Sequence, residues 1–260
     1  VGDLVRAQSA SAPRRDQDEE HRVLVVADPA EDLPAARHEG ENVVRTMAGS
    51  GSDTGCDLRL GRFRRGDFLR VFGRYHFIHF AGHADPADEE EPAGWRFYDG
   101  RLTVEDLETL RGRSAPFLVF ANACRSAEGV LERAFLRAGV SHFIGVVVDL
   151  PDLEGADFAA RFYENLQSGS SIGASLMAAR NAAIAQGDHS WLAYRLRGDP
   201  TAKFFRRRGV EVFPAGRRHG AVLGIKTASM DSEIEKYLDD RSGFRRRVRN
   251  LVAESGGRLL

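Results

Sequence analysis

Cysteine is almost absent from this chain: Cys56 and Cys124 are the only two in 260 residues, with no CxxC spacing. Two such isolated thiols make no disulfide framework and point to a reducing, cytoplasmic setting. Lysine is scarce too, confined to Lys203, Lys226 and Lys236, so arginine carries the positive charge. Basic residues (37) and acidic residues (38) nearly cancel to a net −1, which leaves no global attraction for polyanions and no requirement for nucleic-acid contact. No run approaches the ~18 apolar residues of a membrane span, so no membrane association is expected. No secretory-signal pattern opens the chain, and Val1 in place of an initiator methionine reads as a segment of a longer or processed protein. No P-loop occurs and no G-x-G-x-x-G follows a strand, so no nucleotide cofactor is expected, nor any other.

What is present is a strand–helix alternation. Residues 1–21 are small and charged and read as a linker. The run 22–27 (RVLVVA) is a buried strand closed by Asp28-Pro29, and Pro34 suits the start of a helix over 33–47. The glycine-rich stretch 49–55 breaks the chain before a short strand at 56–60 and a helix at 65–72. Strands follow at 75–80, 117–121 and 142–148, helices at 104–110, 130–138, 158–166 and 172–185, and a last strand at 191–196. In 95–102 (WRFYDGRL), Asp99-Gly100 predicts a hairpin turn. The strands are continuous apolar runs, the signature of parallel strands covered on both faces. The expected fold class is therefore α/β, a doubly wound three-layer sandwich with a mainly parallel sheet. One domain is expected over 22–213, with a partly helical extension over 214–260 whose basic end, 245–249 (RRRVR), reads as a solvated helix end.

Two stretches end on chemically capable side chains: 75–84 (YHFIHFAGHA) reaches His83, and 116–126 (PFLVFANACRS) reaches Cys124. Open parallel sheets bind ligands beyond the carboxyl ends of their strands. Neighbouring strands lie about 4.8 Å apart, so the two side chains can meet if their strands pair. A thiol is mostly protonated at neutral pH, and an imidazolium or a helix amino-terminus beside it raises the thiolate fraction. Because a helix is expected after Cys124, both effects are expected there. His83 then serves as general acid, and backbone N–H groups of Ala84 and Cys124 are candidates to hold an oxyanion.

The bland readings stand beside this one. Free cysteines commonly just pack in a core; His79, in mid-strand, reads as a hydrogen-bonded core residue, and His76 as structural. A zinc site at His79 and His83 fails because positions i and i+4 of a strand are about 13 Å apart, and no metal is expected. Gly169–Gly173 matches G-x-S-x-G but lies between helices and reads as a helix cap.

The same motifs, in order, resemble the CHAT domain, a caspase-like member of the clan that includes caspases, separase, legumain and gingipains. The similarity covers about residues 23–205: Ala27-Asp28-Pro29 with Asp32–Ala36 and Glu39, IHFAGH at 78–83, ANACRSAEG at 121–129, 145–166, and SGSSIGASLMAARNA with Trp191, Gly198 and Asp199. The resemblance implies a caspase-like α/β/α sandwich, with His83 at the catalytic histidine position and Cys124 at the nucleophile position. It implies a cysteine endopeptidase of a bacterial system, acting on a protein substrate under a fused or associated sensor. Two positions depart from the pattern: Ala84 stands where glycine is usual, and Val148 where tryptophan is frequent. Asp28, Asn122, Asp149 and Asp152 are substrate-binding candidates. With Asp85, Asp88 and Glu89–Glu91 the three aspartates make an acidic rim that either selects Arg or Lys before the scissile bond or is merely solvated. The rival readings are a silent CHAT-like interaction module and a thiol hydrolase or acyl-transfer enzyme acting on small molecules.

Overall fold

A computed structural model describes residues 21–49, 54–87, 92–124, 126–127, 129–147 and 154–205. Residues 1–20 of the expected linker, the whole of the expected C-terminal extension over 214–260, and Asp88–Glu91, Val148, Asp149 and Asp152 lie outside the described residues. The frame is a six-stranded sheet in the order β2-β1-β3-β7-β8-β9. Its members are β1 (His21–Ala27), β2 (Thr54–Leu60), β3 (Phe77–Ala81), β7 (Leu118–Asn122), β8 (His142–Val146) and β9 (Tyr194–Arg197). The first five are parallel, and β9 alone runs antiparallel, against β8. All five residues of β3 and of β8 are buried, as continuous apolar runs require when both faces are covered.

Alternate strand residues feed two different cores. On one face, α1 (Pro34–Gly49), α5 (Glu154–Gln167) and α6 (Ile172–Ala185) pack side by side. There Phe120 of β7 meets Phe162 and Tyr163 of α5, while Gln167 Nε2 donates to Met47 O at 2.8 Å and ties α5 to α1. On the other face lie α2 (Arg65–Val71), α3 (Val104–Glu108), α4 (Val130–Arg137) and a small antiparallel sheet of β4 (Ala84–Asp85), β5 (Gly94–Phe97) and β6 (Gly100–Leu102). Phe80 stacks on Trp95 at 4.2 Å, and Trp95 in turn meets Phe135 of α4 at 4.6 Å between ring centroids. The result is the expected three-layer α/β arrangement, with small-sheet residues completing one outer layer.

Three local features differ from the sequence expectation. The hairpin loop is Tyr98-Asp99 rather than Asp99-Gly100, because Gly100 (φ +123°) already pairs with Phe97. The Asp99 carboxylate accepts from Arg65 N at 2.7 Å, which draws the aspartate toward the start of α2. The last strand begins later than 191: His189–Leu192 forms a 3-10 turn, and Ala193 O accepts from Val147 N at 2.8 Å before β9 starts. α5 starts at Glu154, earlier than the expected 158.

Phe120 is fully buried among His79, Phe162, Tyr163 and Tyr194. Phe120→Ala is expected to cost about 3–5 kcal/mol, through lost transfer energy and the cavity left behind. Urea unfolding checks this: the midpoint should fall while the slope stays unchanged.

Candidate functional site

Chain direction across the sheet reverses at β1, which has β2 on one side and β3 on the other. Such a switch point opens a crevice at the carboxyl ends of the strands. The exits of β1, β3 and β7 lie side by side there and carry Asp28, His83 and Cys124. β3 and β7 pair in parallel, and their last partners are Ala81 and Asn122. His83 and Cys124 each stand two residues beyond those partners, so the two exits keep step.

At the β1 exit Asp28 takes a left-handed conformation (φ +49°), which aspartate tolerates better than most residues. Its N–H donates to Ala81 O at 2.9 Å, joining this exit to that of β3. The buried carboxylate accepts from Asp32 N and Leu33 N, both at 2.9 Å, and from Arg37 Nε and Nη2 at 3.2 and 3.0 Å. Asp28 thus folds the 28–33 loop and anchors the first turn of α1.

That loop presents Asp32. Its Oδ1 lies 3.5 Å from His83 Nε2, longer than a normal hydrogen bond, and its Oδ2 accepts from Arg96 Nη1 at 3.1 Å. Arg96 also grips Asp85 through Nε and Nη2, at 2.9 and 2.6 Å, and its backbone N–H donates to His83 O at 2.9 Å. One residue of β5 therefore holds both the backbone of His83 and the carboxylate that faces its ring. The bond between His83 O and Arg96 N makes Ala84 and Trp95 a non-hydrogen-bonded pair, so the Ala84 N–H points away from β5.

The β7 exit is a tight turn. Ser126 N donates to Ala123 O at 3.1 Å, placing Cys124 inside the turn. The Ser126 hydroxyl, buried, donates to Ala121 O and accepts from Val146 N, each at 2.9 Å, and Ala127 N donates to Val146 O. Residue 145 must be small for this docking, since a Cβ there would come within 2.9 Å of the Ser126 hydroxyl. The helix expected after Cys124 is α4, which starts at Val130 as read from the sequence, with Gly129 as its cap. The turn around Ser126 frames Cys124 between β7 and α4.

Asn122, expected from the sequence on the substrate side, directs its carboxamide into the fold. Nδ2 donates to both oxygens of buried Glu39 at 2.8 Å, and Oδ1 accepts from the Tyr194 hydroxyl at 2.9 Å. His79 Nε2 reaches the same Glu39 Oε1 at 3.0 Å, and its Nδ1 lies 3.3 Å from the Tyr163 hydroxyl. The described acidic rim is likewise neutralised: Arg37 pairs with Asp28, and Arg96 and Arg101 with Asp85. The remaining rim candidates, Asp149 and Asp152, lie outside the described residues. Among the described residues no group of three or more His, Cys, Asp and Glu side chains could hold a metal ion, and no helix is long and apolar enough to cross a membrane.

Asp32, Arg96, Ser126 and Glu39 are the site-shaping residues whose roles the sequence did not disclose. Asp32, Ser126 and Glu39 stood within the stretches that resemble the family, and Glu39 also as a carboxylate within the Ala36–Val43–Met47 stripe that faces the core. The contact of Asp32 with Arg96 spans 64 residues and that of Ser126 with Val146 spans 20.

The family model for the CHAT domain matches residues 2–205. No curated protein matches the chain in sequence. Among solved structures, one described as a protease superposes with a TM-score of 0.55 at 15% identity, covering 79% of this chain and 54% of that one. The Arg-specific cysteine proteinase gingipain R superposes with a TM-score of 0.56 at 14% identity, covering 69% of this chain and 46% of that one. Separase from Saccharomyces cerevisiae, in complex with securin, gives a TM-score of 0.50 at 12% identity, over 69% of this chain and 12% of that one. The chain thus spans about half the length of the first two and a much smaller part of separase. With the match running from residue 2 to 205 and the fold shared with these proteases, the chain belongs to the CHAT domain family and carries its caspase-like, cysteine-peptidase fold.

Proposed function

We propose that this chain is a cysteine endopeptidase in which Cys124 is the nucleophile and His83 the general acid and base. The observation that carries the reading is the strand register: Ala81 opposite Asn122 puts the histidine and the cysteine at matching positions on adjacent strand exits. The Cys124 thiolate attacks the carbonyl carbon of the scissile peptide bond. The C–O pair becomes an oxyanion, received by the N–H groups of Ala84 and Cys124. Collapse breaks the C–N bond as the His83 imidazolium gives its proton to the leaving amine, leaving a thioester on Cys124. Water then attacks the thioester and gives its proton to His83, and the acid product leaves as the thiolate is restored. Asp32 sits against His83 Nε2, so Nδ1 is the nitrogen assigned to these proton transfers, with Asp32 and Arg96 as positioning residues. The substrate is a polypeptide, and control comes from a fused or associated sensor, by likeness to the family.

Cysteine labelling tests the reading directly. Burial, and then the Asp57 charge, push the Cys56 thiol up to about 11. Its thiolate fraction therefore stays small until the pH nears that value, and Cys56 should resist electrophiles between about pH 7 and 9. A peptide carrying an electrophilic warhead is expected to modify Cys124 at pH 7 and to leave Cys56 intact, as read by mass spectrometry of the digested protein. Equal labelling of the two, or none at Cys124, would favour the interaction-module reading.

A further inference from the structure

The cysteine turn stands on a buried polar chain that the proposed chemistry does not use. Glu39 (4% exposed) and His79 (0% exposed) lie in the layer between the sheet and α1, where burying a carboxylate is costly unless its lone pairs are satisfied. An aliphatic side chain would pack beside Ala36 and Val43 without that cost. Instead Glu39 is the shared acceptor of a closed sequence: the Asn122 carboxamide donates to both its oxygens, His79 Nε2 meets one of them, and the Tyr194 hydroxyl donates to the other end of Asn122. Asn122 is the last residue of β7, and its backbone sets the direction in which Ala123 and Cys124 leave the sheet. Its carboxamide is fixed at both ends by residues of α1 and β9, with β3 fixing Glu39 in turn. Tyr194 is itself immobilised, its ring stacked on Phe158 at 3.9 Å. Burial first, then the charge of Glu39, drive the Tyr194 hydroxyl well above its ordinary range, and the charge of Cys124 adds to this. Glu39 and Cys124 are therefore each within electrostatic reach of Tyr194.

We propose that Glu39 is a positioning residue for the nucleophile: through Asn122, and with Tyr194 as the opposing clamp, it sets the angle at which β7 delivers Cys124 toward His83. This rests on the reading of Cys124 as nucleophile. A displacement of about 1 Å in a reacting group can cost on the order of 10²-fold in rate, and Asn122 is two residues from the sulfur.

The test compares intact protein with Glu39→Gln, which keeps the side-chain shape but turns a donor toward the Asn122 amide. Three quantities are read: the alkylation rate of Cys124 by iodoacetamide, mapped by mass spectrometry; kcat and KM on a cleaved peptide; and the thermal midpoint. Glu39→Gln is expected to lower both the alkylation rate and kcat by about 10- to 100-fold, with KM changed less than about threefold. The double variant Glu39→Gln/Asn122→Asp reverses donor and acceptor across the pair and is expected to recover reactivity, as coupled residues do. Val43→Ala, one turn along α1 and equally buried, removes packing without touching the polar chain and serves as the stability control. Should Glu39→Gln fail to fold, Tyr194→Phe removes only the hydroxyl from the clamp and is expected to cost about three- to tenfold in the same two rates. The proposal is overturned if Glu39→Gln, or Tyr194→Phe in its place, slows Cys124 no more than Val43→Ala does. A wild-type Cys124 no more reactive than an ordinary thiol, with no cleavage, would instead remove the peptidase reading on which it rests.

Discussion

Cys124→Ala is expected to abolish peptide-bond cleavage, with a loss in kcat on the order of 10⁶-fold, the size seen when a nucleophile that works as part of a unit is removed. The change replaces Sγ by hydrogen and leaves no atom to form the thioester. Cys56 cannot substitute, because it sits on β2, at the opposite side of β1 from β3, with its thiol pushed up to about 11. The fold should survive. The turn that carries Cys124 is held by Ser126 and by backbone bonds to Ala121, Ala123 and Val146, none of which needs the thiol. Cleavage of a fluorogenic peptide or a co-expressed native substrate measures the first part, and circular dichroism with a thermal melt measures the second. Full activity in the Cys124→Ala protein would exclude the peptidase reading and leave the chain as a binding module.

His83→Gln comes next in size, with an expected loss of about 10²–10⁴-fold, the usual worth of a positioned general acid and base. Glutamine retains a hydrogen-bonding end that can face Asp32 but cannot hand a proton to the leaving amine. The Asp32–Arg96–Asp85 group should therefore stay in place, since its bonds are made without the ring. The loss should fall on kcat more than on KM, and iodoacetamide should alkylate Cys124 more slowly because the imidazole that shares its proton is gone. A His83→Gln protein with unchanged kcat and unchanged Cys124 alkylation would mean that the two strand exits do not cooperate.

The strands were legible because burial on both faces demands unbroken apolar runs. β1, β3, β7 and β8 lie within one or two residues of the stretches read from the sequence, and α6 spans the expected residues. Short-range signals failed where a distant partner competed. The Asp99-Gly100 turn lost its aspartate to the start of α2, and the last strand shortened behind a 3-10 turn. The helix after Cys124 starts at Val130, where it was expected, but the turn that leads to it was not legible. Hydrophobic periodicity reports that a helix follows a strand, whereas the length and path of the turn between them depend on Ser126 meeting β8, twenty residues away in sequence.

Composition and periodicity by themselves determined the α/β class, the absence of long apolar spans, and the two stretches that end in His83 and Cys124. Those features follow from local pattern and from the water-to-interior transfer of side chains, which a sequence displays directly. Only the tertiary structure decided that β3 and β7 are neighbours in matching register and that Asp32 and Arg96 attend the histidine. It likewise decided that Asp28 and Asn122 turn their polar groups into the fold, and that a buried carboxylate from α1 stands beneath the cysteine turn. The physical reason is that hydrogen bonds and ion pairs act within about 3–4 Å. Which groups come that close is settled by the order of strands and the packing of helices, not by the spacing of residues along the chain.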